Sequence, residues 1–109
     1  MQVAQKLAGD IISGKLAPGS KLPGSREMAV SFSINPNTAA RVYQELESRR
    51  LCETRRGLGT FVTTDGECIR ATREQAAREI LKRYRDALKA LGYTHEQAIA
   101  LLGEETEHD

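Results

Sequence analysis

Apolar residues recur at helical spacing in residues 1–13, which predicts a first helix that Gly14 ends. A second pattern follows Pro36, because proline has a fixed φ and no N–H and therefore suits the first position of a helix. Asn35 precedes it as a candidate N-cap. Between Pro36 and Arg50 one stripe is apolar at intervals of three, four and seven residues: Ala39, Val42, Tyr43 and Leu46. The spacing predicts an amphipathic helix with one buried face.

The opposite face of this second helix is polar near its N-terminus. Asn37, Thr38 and Arg41 offer hydrogen-bonding groups at the end that helix-turn-helix proteins insert into the DNA major groove. A shorter helix, Arg26 to Phe32 with Ser25 as its N-cap, is predicted just before it. A short helix, a turn and a longer helix form a helix-turn-helix pair, in which the longer helix would be the recognition helix.

Two short runs of strand-forming residues within Leu51–Thr63 predict a β-hairpin, because glycines between them supply a turn. The hairpin tip combines Arg55 and Arg56 with Gly57. Cationic groups and a bare backbone therefore stand where a phosphate or a minor groove can be approached closely. A hairpin that only closes the core, with solvated arginines, is the alternative. The neighbouring recognition helix favours the interpretation as a DNA-contacting wing.

The C-terminal part of the chain predicts a hinge and two further helices. Residues 64–71 are polar and mark a domain boundary. Thr72-Arg73-Glu74-Gln75 has the form of a capping box, so a long helix is expected to begin there and to be closed by Gly92. A second capping box at Thr94 predicts a short helix that ends at Gly103, before an acidic tail.

The two C-terminal helices carry large apolar residues that a hairpin of about 35 residues is too small to bury in its own core. These residues are Ile80, Leu81, Tyr84, Leu88, Leu91, Ile99 and Leu102. They either fold back on the first domain or meet the same helices of a second chain. We favour the second arrangement, a homodimer, because DNA readers of this type generally act as two-fold dimers.

Composition excludes some classes of protein and favours others. The 109 residues allow one small domain with a short appendage, and no apolar run approaches the roughly 20 residues of a membrane helix. We therefore expect a cytoplasmic protein without a membrane partner. Residues 1–63 contain nine lysines and arginines against five acids, whereas residues 64–109 contain seven against ten. The basic half is the half that carries the recognition helix.

The sequence offers little support for catalysis. His95 and His108 are the only histidines, and neither stands at ligand or triad spacing from a cysteine or a paired carboxylate. Cys52 and Cys68 lack zinc-ligand spacing and are expected to be buried or incidental thiols. We therefore expect no enzyme activity, no metal and no cofactor.

Three spaced motifs resemble the winged helix-turn-helix of GntR-type bacterial transcription regulators. They are Leu22-Pro23-x-x-Arg26-Glu27-Met28-Ala29, Ile34-Asn35-Pro36-Asn37-Thr38-x-x-Arg41-Val42-Tyr43-x-x-Leu46-Glu47, and Arg56-Gly57-Leu58-Gly59-Thr60-Phe61-Val62. The resemblance covers about the first 63 residues. The remainder is similar to the YtrA-type subfamily, in which a short helical tail serves dimerisation in place of a large effector domain.

The resemblance implies a mainly α fold with a small β-hairpin. It comprises a winged helix-turn-helix in residues 1–63, a hinge in 64–71 and a two-helix dimerisation hairpin with an acidic tail in 72–109. Carried over by position, the DNA contacts are Arg26, Asn35, Asn37, Thr38, Arg41, Arg56 and Gly57. The family usually has serine where this chain has Gly24 and glycine where it has Arg50, so the C-terminus of the recognition helix is expected to be strained or differently built.

These observations predict a homodimeric repressor that binds a palindromic double-stranded DNA operator. Phosphate contacts are expected from Lys21, Arg49 and Arg55, and base contacts from the polar face of the recognition helix. The alternative is a winged-helix adaptor that binds a partner protein and not DNA. The sequence names no small-molecule effector, and any effector would act on the dimer geometry or on the hinge.

Overall fold

The computed structural model describes residues 2–106. Within them, five helices and an antiparallel hairpin follow one another as α1 (Gln2–Ile12), α2 (Ser25–Phe32), α3 (Pro36–Ser48), β1 (Cys52–Arg55), β2 (Gly59–Val62), α4 (Gly66–Ala90) and α5 (His95–Thr106). The predicted fold class is confirmed. The predicted helix start at Met1 and the end of the acidic tail, including His108, lie outside the described residues. None of the helices in the described part is long and apolar enough to cross a membrane.

The chain divides into two compact units, residues 1–73 and residues 74–109. In the first unit, α1, α2 and α3 pack around one hydrophobic core, because each carries apolar residues at helical spacing. Leu22, Leu51 and Val62 contribute to this core from the loop and the hairpin. The predicted stripes of α1 and α3 are confirmed, since their members are buried: Ala4, Leu7, Ala8, Ile11, Ala39, Val42, Tyr43 and Leu46.

A short extended segment between α1 and α2 lies along the outer edge of β2. The Val62 N–H donates to the Ser20 carbonyl, and the Leu22 N–H donates to the Thr60 carbonyl, both at 2.8 Å. Gly19, with φ +78°, turns the chain into this position. The pattern of residues 20–23 does not predict a strand, because the run contains no β-branched or aromatic residue.

The start of α2 differs from its prediction. Ser25 is the first residue of the helix, and Gly24 occupies the N-cap position without a side-chain hydrogen bond. The predicted capping role of Ser25 is therefore wrong. The Met28 N–H bonds to the Gly24 carbonyl at 2.9 Å, which places the first helical turn one residue earlier than a serine cap would require.

The long helix α4 also begins earlier than predicted. The Asp65 Oδ1 accepts a hydrogen bond from the Cys68 N–H at 3.1 Å and so caps a helix that starts at Gly66. Ile69 then packs into the core of the first unit. Thr72 consequently lies inside the helix, and the predicted capping box there is wrong. Residues 66–71 are helical, and their role as a hinge stays a prediction.

The junction between α4 and α5 follows the predicted signals. Gly92, with φ +93°, stands just after the end of α4. The second capping box is confirmed, because the Gln97 N–H donates to the Thr94 Oγ1 at 3.2 Å and the Thr94 N–H donates to the Gln97 Oε1 at 2.9 Å. The predicted end of α5 at Gly103 is wrong, since the helix continues to Thr106. One glycine costs about 1 kcal/mol in a helix and does not end it alone.

Candidate nucleic-acid interface

The N-terminus of α3 is exposed and capped. Asn35 has the extended backbone of an N-cap, and its Oδ1 accepts a hydrogen bond from the Asn37 N–H at 2.8 Å. This confirms the predicted cap, with Pro36 at the first helical position. Pro36 has no N–H, and the Ala39 N–H donates to the Asn35 carbonyl at 3.0 Å, which leaves the Thr38 N–H of the first turn for an outside acceptor. The positive end of the helix dipole also lies here. Such an end favours a phosphate.

Along α3 a buried side and an exposed side are clearly separated. Ala39 and Val42 have no exposed surface. Asn37 and Arg41, one turn apart, are exposed, and Thr38 is half-buried beside them. Amide and guanidinium groups are those that pair with the edges of bases in the major groove. The exposed side of α3 therefore has the chemistry of a recognition helix.

A buried tyrosine fastens α3 to the segment that leads into α2. The Tyr43 hydroxyl donates a hydrogen bond to the Pro23 carbonyl. Burial raises the pKa of Tyr43 to about 12, with smaller contributions from Cys52 and Glu27. The neutral hydroxyl therefore keeps its proton for this bond. Since α2 also packs against α3, exposed Arg26 in the first turn of α2 has a fixed place relative to the recognition helix.

The predicted wing is confirmed as a hairpin. β1 and β2 pair from Cys52 opposite Val62 to Arg55 opposite Gly59, which leaves residues 56–58 as a three-residue turn. Gly57 has φ +78°, a conformation that glycine adopts without strain. The tip consists of Arg56, Gly57 and Leu58, all of them exposed.

The two wing arginines have different surroundings. The Arg55 guanidinium lies 4.4 Å from the centre of the Phe61 ring and forms an ion pair with Glu53, Nη2 to Oε1 at 2.7 Å. Its charge is therefore partly neutralised and its side chain is held along the hairpin. The other ion pairs of the described first unit join Lys6 to Asp10 and Arg70 to Glu67. Arg56 belongs to none of these pairs.

The wing is attached to α3 and to the extended segment beside β2. The Thr54 hydroxyl donates to the carboxylate of Glu47, which lies in the last turns of α3. On the other edge of the hairpin, the Lys21 side chain lies over Gly59, where a Cβ atom would come within 2.8 Å of the Lys21 Cε. A side chain at position 59 would displace the lysine.

The structure thus groups the predicted contact residues on three neighbouring elements of the first unit. They are Arg26 on α2, Asn35, Asn37, Thr38 and Arg41 at the start of α3, and Arg55, Arg56 and Gly57 on the wing. Their contact with DNA stays a prediction. Sequence reasoning missed Glu47 and Phe61, which position the wing. Phe61 lies opposite Glu53, and Arg55 is its diagonal neighbour on the same face of the hairpin. The alternation of residues in β1 and β2 is the sequence signal for this contact.

In the second unit the predicted dimerisation residues are largely uncovered. Leu88 is half-buried. The other six are between 54% and 75% exposed: Ile80, Leu81, Tyr84, Leu91, Ile99 and Leu102. An open groove of about 710 Å³ lies between α4 and α5 and is lined mainly by this apolar side of both helices. Exposed apolar surface of this extent is typical of an interaction site, and its role in dimerisation stays a prediction.

The known proteins that this chain resembles in sequence and structure are described as regulators. The family described as bacterial regulatory proteins, gntR family, matches residues 1–62. The HTH-type transcriptional regulator YhcF of Bacillus subtilis is 37% identical over 99 residues, which cover 91% of this chain and 82% of that protein. The HTH-type transcriptional repressor YtrA of the same organism is 38% identical over 66 residues, covering 61% and 51%. A GntR family transcriptional regulator from Listeria monocytogenes has a solved structure with a TM-score of 0.88 and 29% identity, covering 94% and 90%.

Proposed function

Because the chain belongs to the GntR family of bacterial regulatory proteins, we propose that it is a transcription repressor that binds a palindromic operator as a homodimer. Its DNA-binding domain is the winged helix-turn-helix. The relatives are regulators of transcription, so the prediction that the chain is not an enzyme is confirmed. Repression is proposed because the relative YtrA carries that description.

The exposed polar side at the start of α3 is the observation that carries the proposal. Arg41 and Asn37 are exposed on a helix whose opposite side is fully buried, so the helix is rigid and its polar groups are available to a duplex. We assign base contacts in the major groove to Asn37, Thr38 and Arg41. A bidentate arginine contact with guanine contributes about 1–3 kcal/mol of discrimination.

Phosphate contacts come from groups around this helix. We assign phosphate contacts on one side of the groove to exposed Arg26 and to the capped N-terminus of α3. Arg56 and Gly57 at the wing tip approach the adjacent minor groove. Arg55, paired with Glu53 and stacked on Phe61, contributes less to DNA binding than the sequence alone suggested. Its main role is to stiffen the wing.

A homodimer is proposed from the uncovered apolar residues of α4 and α5. Leu91 is 75% exposed and Leu81 is 67% exposed in the single chain. Covering such residues with the same helices of a second chain removes apolar surface from water at about 25 cal/mol per Å². Two recognition helices related by a two-fold axis then bind successive major grooves, which is why we propose a palindromic operator.

Substitution of Arg41 tests the assignment of the recognition helix. A duplex enriched from random DNA by the full-length chain serves as the operator, and fluorescence anisotropy measures its affinity against a scrambled duplex. Arg41→Ala should lower operator affinity by about 5- to 150-fold and relax specificity, corresponding to roughly 1–3 kcal/mol. Arg41→Lys keeps the charge but not the bidentate geometry. It should therefore recover only the sequence-independent part of the affinity, which the operator and the scrambled duplex have in common.

Lys82→Ala is the matched control, because it removes one exposed positive charge from α4, outside the DNA-binding domain. It should leave the operator affinity unchanged. Equal operator binding by Arg41→Ala and the parent would refute the assignment of α3. Failure of the parent to bind any duplex at low salt would favour the adaptor interpretation.

A further inference from the structure

We propose that Leu58, at the tip of the wing, is a specificity-determining residue that contacts the DNA minor groove through its apolar side chain. This inference rests on the proposed function, since it requires the wing to reach the groove. It adds an apolar contact to a tip for which only cationic and backbone contacts have been assigned above.

The placement of Leu58 is fixed by the hairpin. Its N–H donates to the Arg55 carbonyl at 2.9 Å, which closes the three-residue turn. Leu58 is 63% exposed, so its side chain is available to a ligand. The glycine conformations of the hairpin lie on either side of Leu58, at Gly57 (φ +78°) and Gly59 (φ +121°), so a polar residue at position 58 would close the hairpin equally well.

The neighbours of Leu58 indicate the surface that it contacts. Arg55 is occupied by Glu53 and the Phe61 ring, so Arg56 supplies the cationic group of the tip. Arg56, Gly57 and Leu58 thus present a cation, a bare backbone and an apolar side chain at consecutive positions. The minor groove combines a strongly negative potential with the apolar edges of the sugars, and proteins that enter it pair arginine with aliphatic side chains.

The wing is held in place by its neighbours, so little conformational entropy is lost when its tip binds. The extended segment at Lys21 pairs with β2 on one edge, and Thr54 bonds to Glu47 of α3 from the other strand. The loss of conformational freedom on binding is correspondingly small, so apolar contact made by Leu58 contributes to affinity.

Contact by Leu58 would favour A·T over G·C pairs under the wing. In the minor groove a G·C pair adds the guanine 2-amino group, a donor that an aliphatic side chain cannot satisfy. An A·T pair leaves the floor of the groove free of this group. We therefore expect the enriched duplex to carry A·T pairs where the wing lies.

Titrations with the full-length chain test this inference. The probe is the duplex enriched from random DNA, measured by anisotropy at several salt concentrations. Leu58→Ala should weaken binding by about 5- to 10-fold without changing the dependence on salt, because no counterion is released by an apolar contact. Leu58→Met, which keeps the volume, should restore affinity to within about 2-fold of the parent. Arg56→Ala should reduce the slope of log K against log salt by about 1.

A second measurement uses the parent chain alone and so does not depend on the folding of a variant. G·C pairs are placed under the wing and then replaced by I·C pairs, which lack the 2-amino group but keep the major-groove pattern. The parent should bind the I·C duplex about 3- to 10-fold more tightly than the G·C duplex. Leu58→Ala should bind the two duplexes equally, and its thermal midpoint should match the parent because the side chain is exposed.

The outcomes separate the inference from the proposed function. If the full-length chain enriches no duplex from random DNA, both the inference and the proposed function are overturned. Normal operator binding with an unchanged affinity for Leu58→Ala would overturn the inference and leave the function standing, as would equal affinity of the parent for I·C and G·C duplexes. An Arg56→Ala variant with the parent's affinity and salt slope would remove the wing from the groove and overturn the inference as well.

Discussion

Arg50 follows the recognition helix in a conformation that glycine normally adopts. Its φ is +60°, and its N–H donates to the Glu47 carbonyl at 2.9 Å. The next N–H, of Leu51, donates to the Leu46 carbonyl, also at 2.9 Å. These two bonds form a Schellman motif, in which a left-handed residue with a Cβ costs about 1–2 kcal/mol. Arginine in place of the family's usual glycine at position 50 therefore leaves the end of α3 intact but strained.

Arg50→Gly should stabilise the chain. Relief of the left-handed strain outweighs the extra freedom of glycine in the unfolded chain, and we expect a net gain of about 0.5–1 kcal/mol in the free energy of unfolding. Urea denaturation at one chain concentration measures it. Arg49→Gly is the control, because Arg49 has an ordinary φ of −88° and its replacement should destabilise by a similar amount. A loss of stability in Arg50→Gly would show that the conformation is not strained.

Cys52 makes the stability of the fold sensitive to alkaline pH. Burial, with a smaller contribution from Glu47, raises the pKa of the thiol from 9.0 to about 12. The folded state favours the neutral thiol, so its contribution is complete below pH 9 and is lost as the pH rises towards 12, by up to about 1.4 kcal/mol per pH unit. In reducing buffer, the free energy of unfolding of Cys52→Ala should fall less steeply than that of the parent between pH 9 and 12. Parallel profiles would contradict this assignment.

Among the elements, local side-chain bonds decide where α3, α4 and α5 start. Asn35 caps α3 and Thr94 caps α5, as their sequence signals predict. At α4 two signals compete, and Asp65 caps the helix while Thr72 does not. The buried contact of Ile69 favours the earlier start, because a helix that began at Thr72 would leave this residue without regular structure.

The two competing caps of α4 can be distinguished by substitution. Asp65→Ala should destabilise the chain by about 1 kcal/mol, because the Cys68 N–H loses its acceptor. Thr72→Ala should change stability by less than about 0.5 kcal/mol, since alanine is a better helix former than threonine at an interior position. Thermal or urea unfolding measures both. If Thr72→Ala loses more stability than Asp65→Ala, Thr72 and not Asp65 is the N-cap of α4.

At the scale of the whole molecule, the two units expose different surfaces. The first unit buries most of its apolar residues, with Val30 and Leu58 as exposed exceptions, and it exposes polar groups on α3 and cationic groups on the wing. The second unit leaves its large apolar residues exposed. A chain with this division has one surface with the chemistry of a nucleic-acid interface and another with the exposed apolar area of a protein interface, which we propose a second copy covers.

Charged substitutions in the apolar stripe should separate the proposed dimer. Leu81→Glu combined with Ile99→Glu places carboxylates where two copies would bury aliphatic side chains, so the variant should sediment as a monomer. Both positions are exposed in the single chain, so its fold should persist. Operator affinity should fall about tenfold or more, because two half-sites no longer bind together. Lys82→Glu, off the stripe, is the control, and a monomeric parent would defeat the proposal.

Most helices and strands, and most of their ends, follow from local sequence signals. Periodicity identified the buried stripe of α3, and local caps such as Asn35-Pro36 and Thr94 fixed where helices begin, because these signals act within one or two turns. The glycines of the wing likewise specified a hairpin turn at Gly57. Such local chemistry also carried the family resemblance, which the comparisons confirmed.

The way in which side chains from distant positions combine depends on the packing of the folded chain. Only the folded chain shows that Thr54 bonds to Glu47, that Lys21 covers Gly59, and that the Arg55 guanidinium lies over the Phe61 ring. It also chose Asp65 over Thr72 as a cap, since the choice depends on the burial of a residue between them. These contacts depend on packing between elements, which the pattern of a single element does not contain.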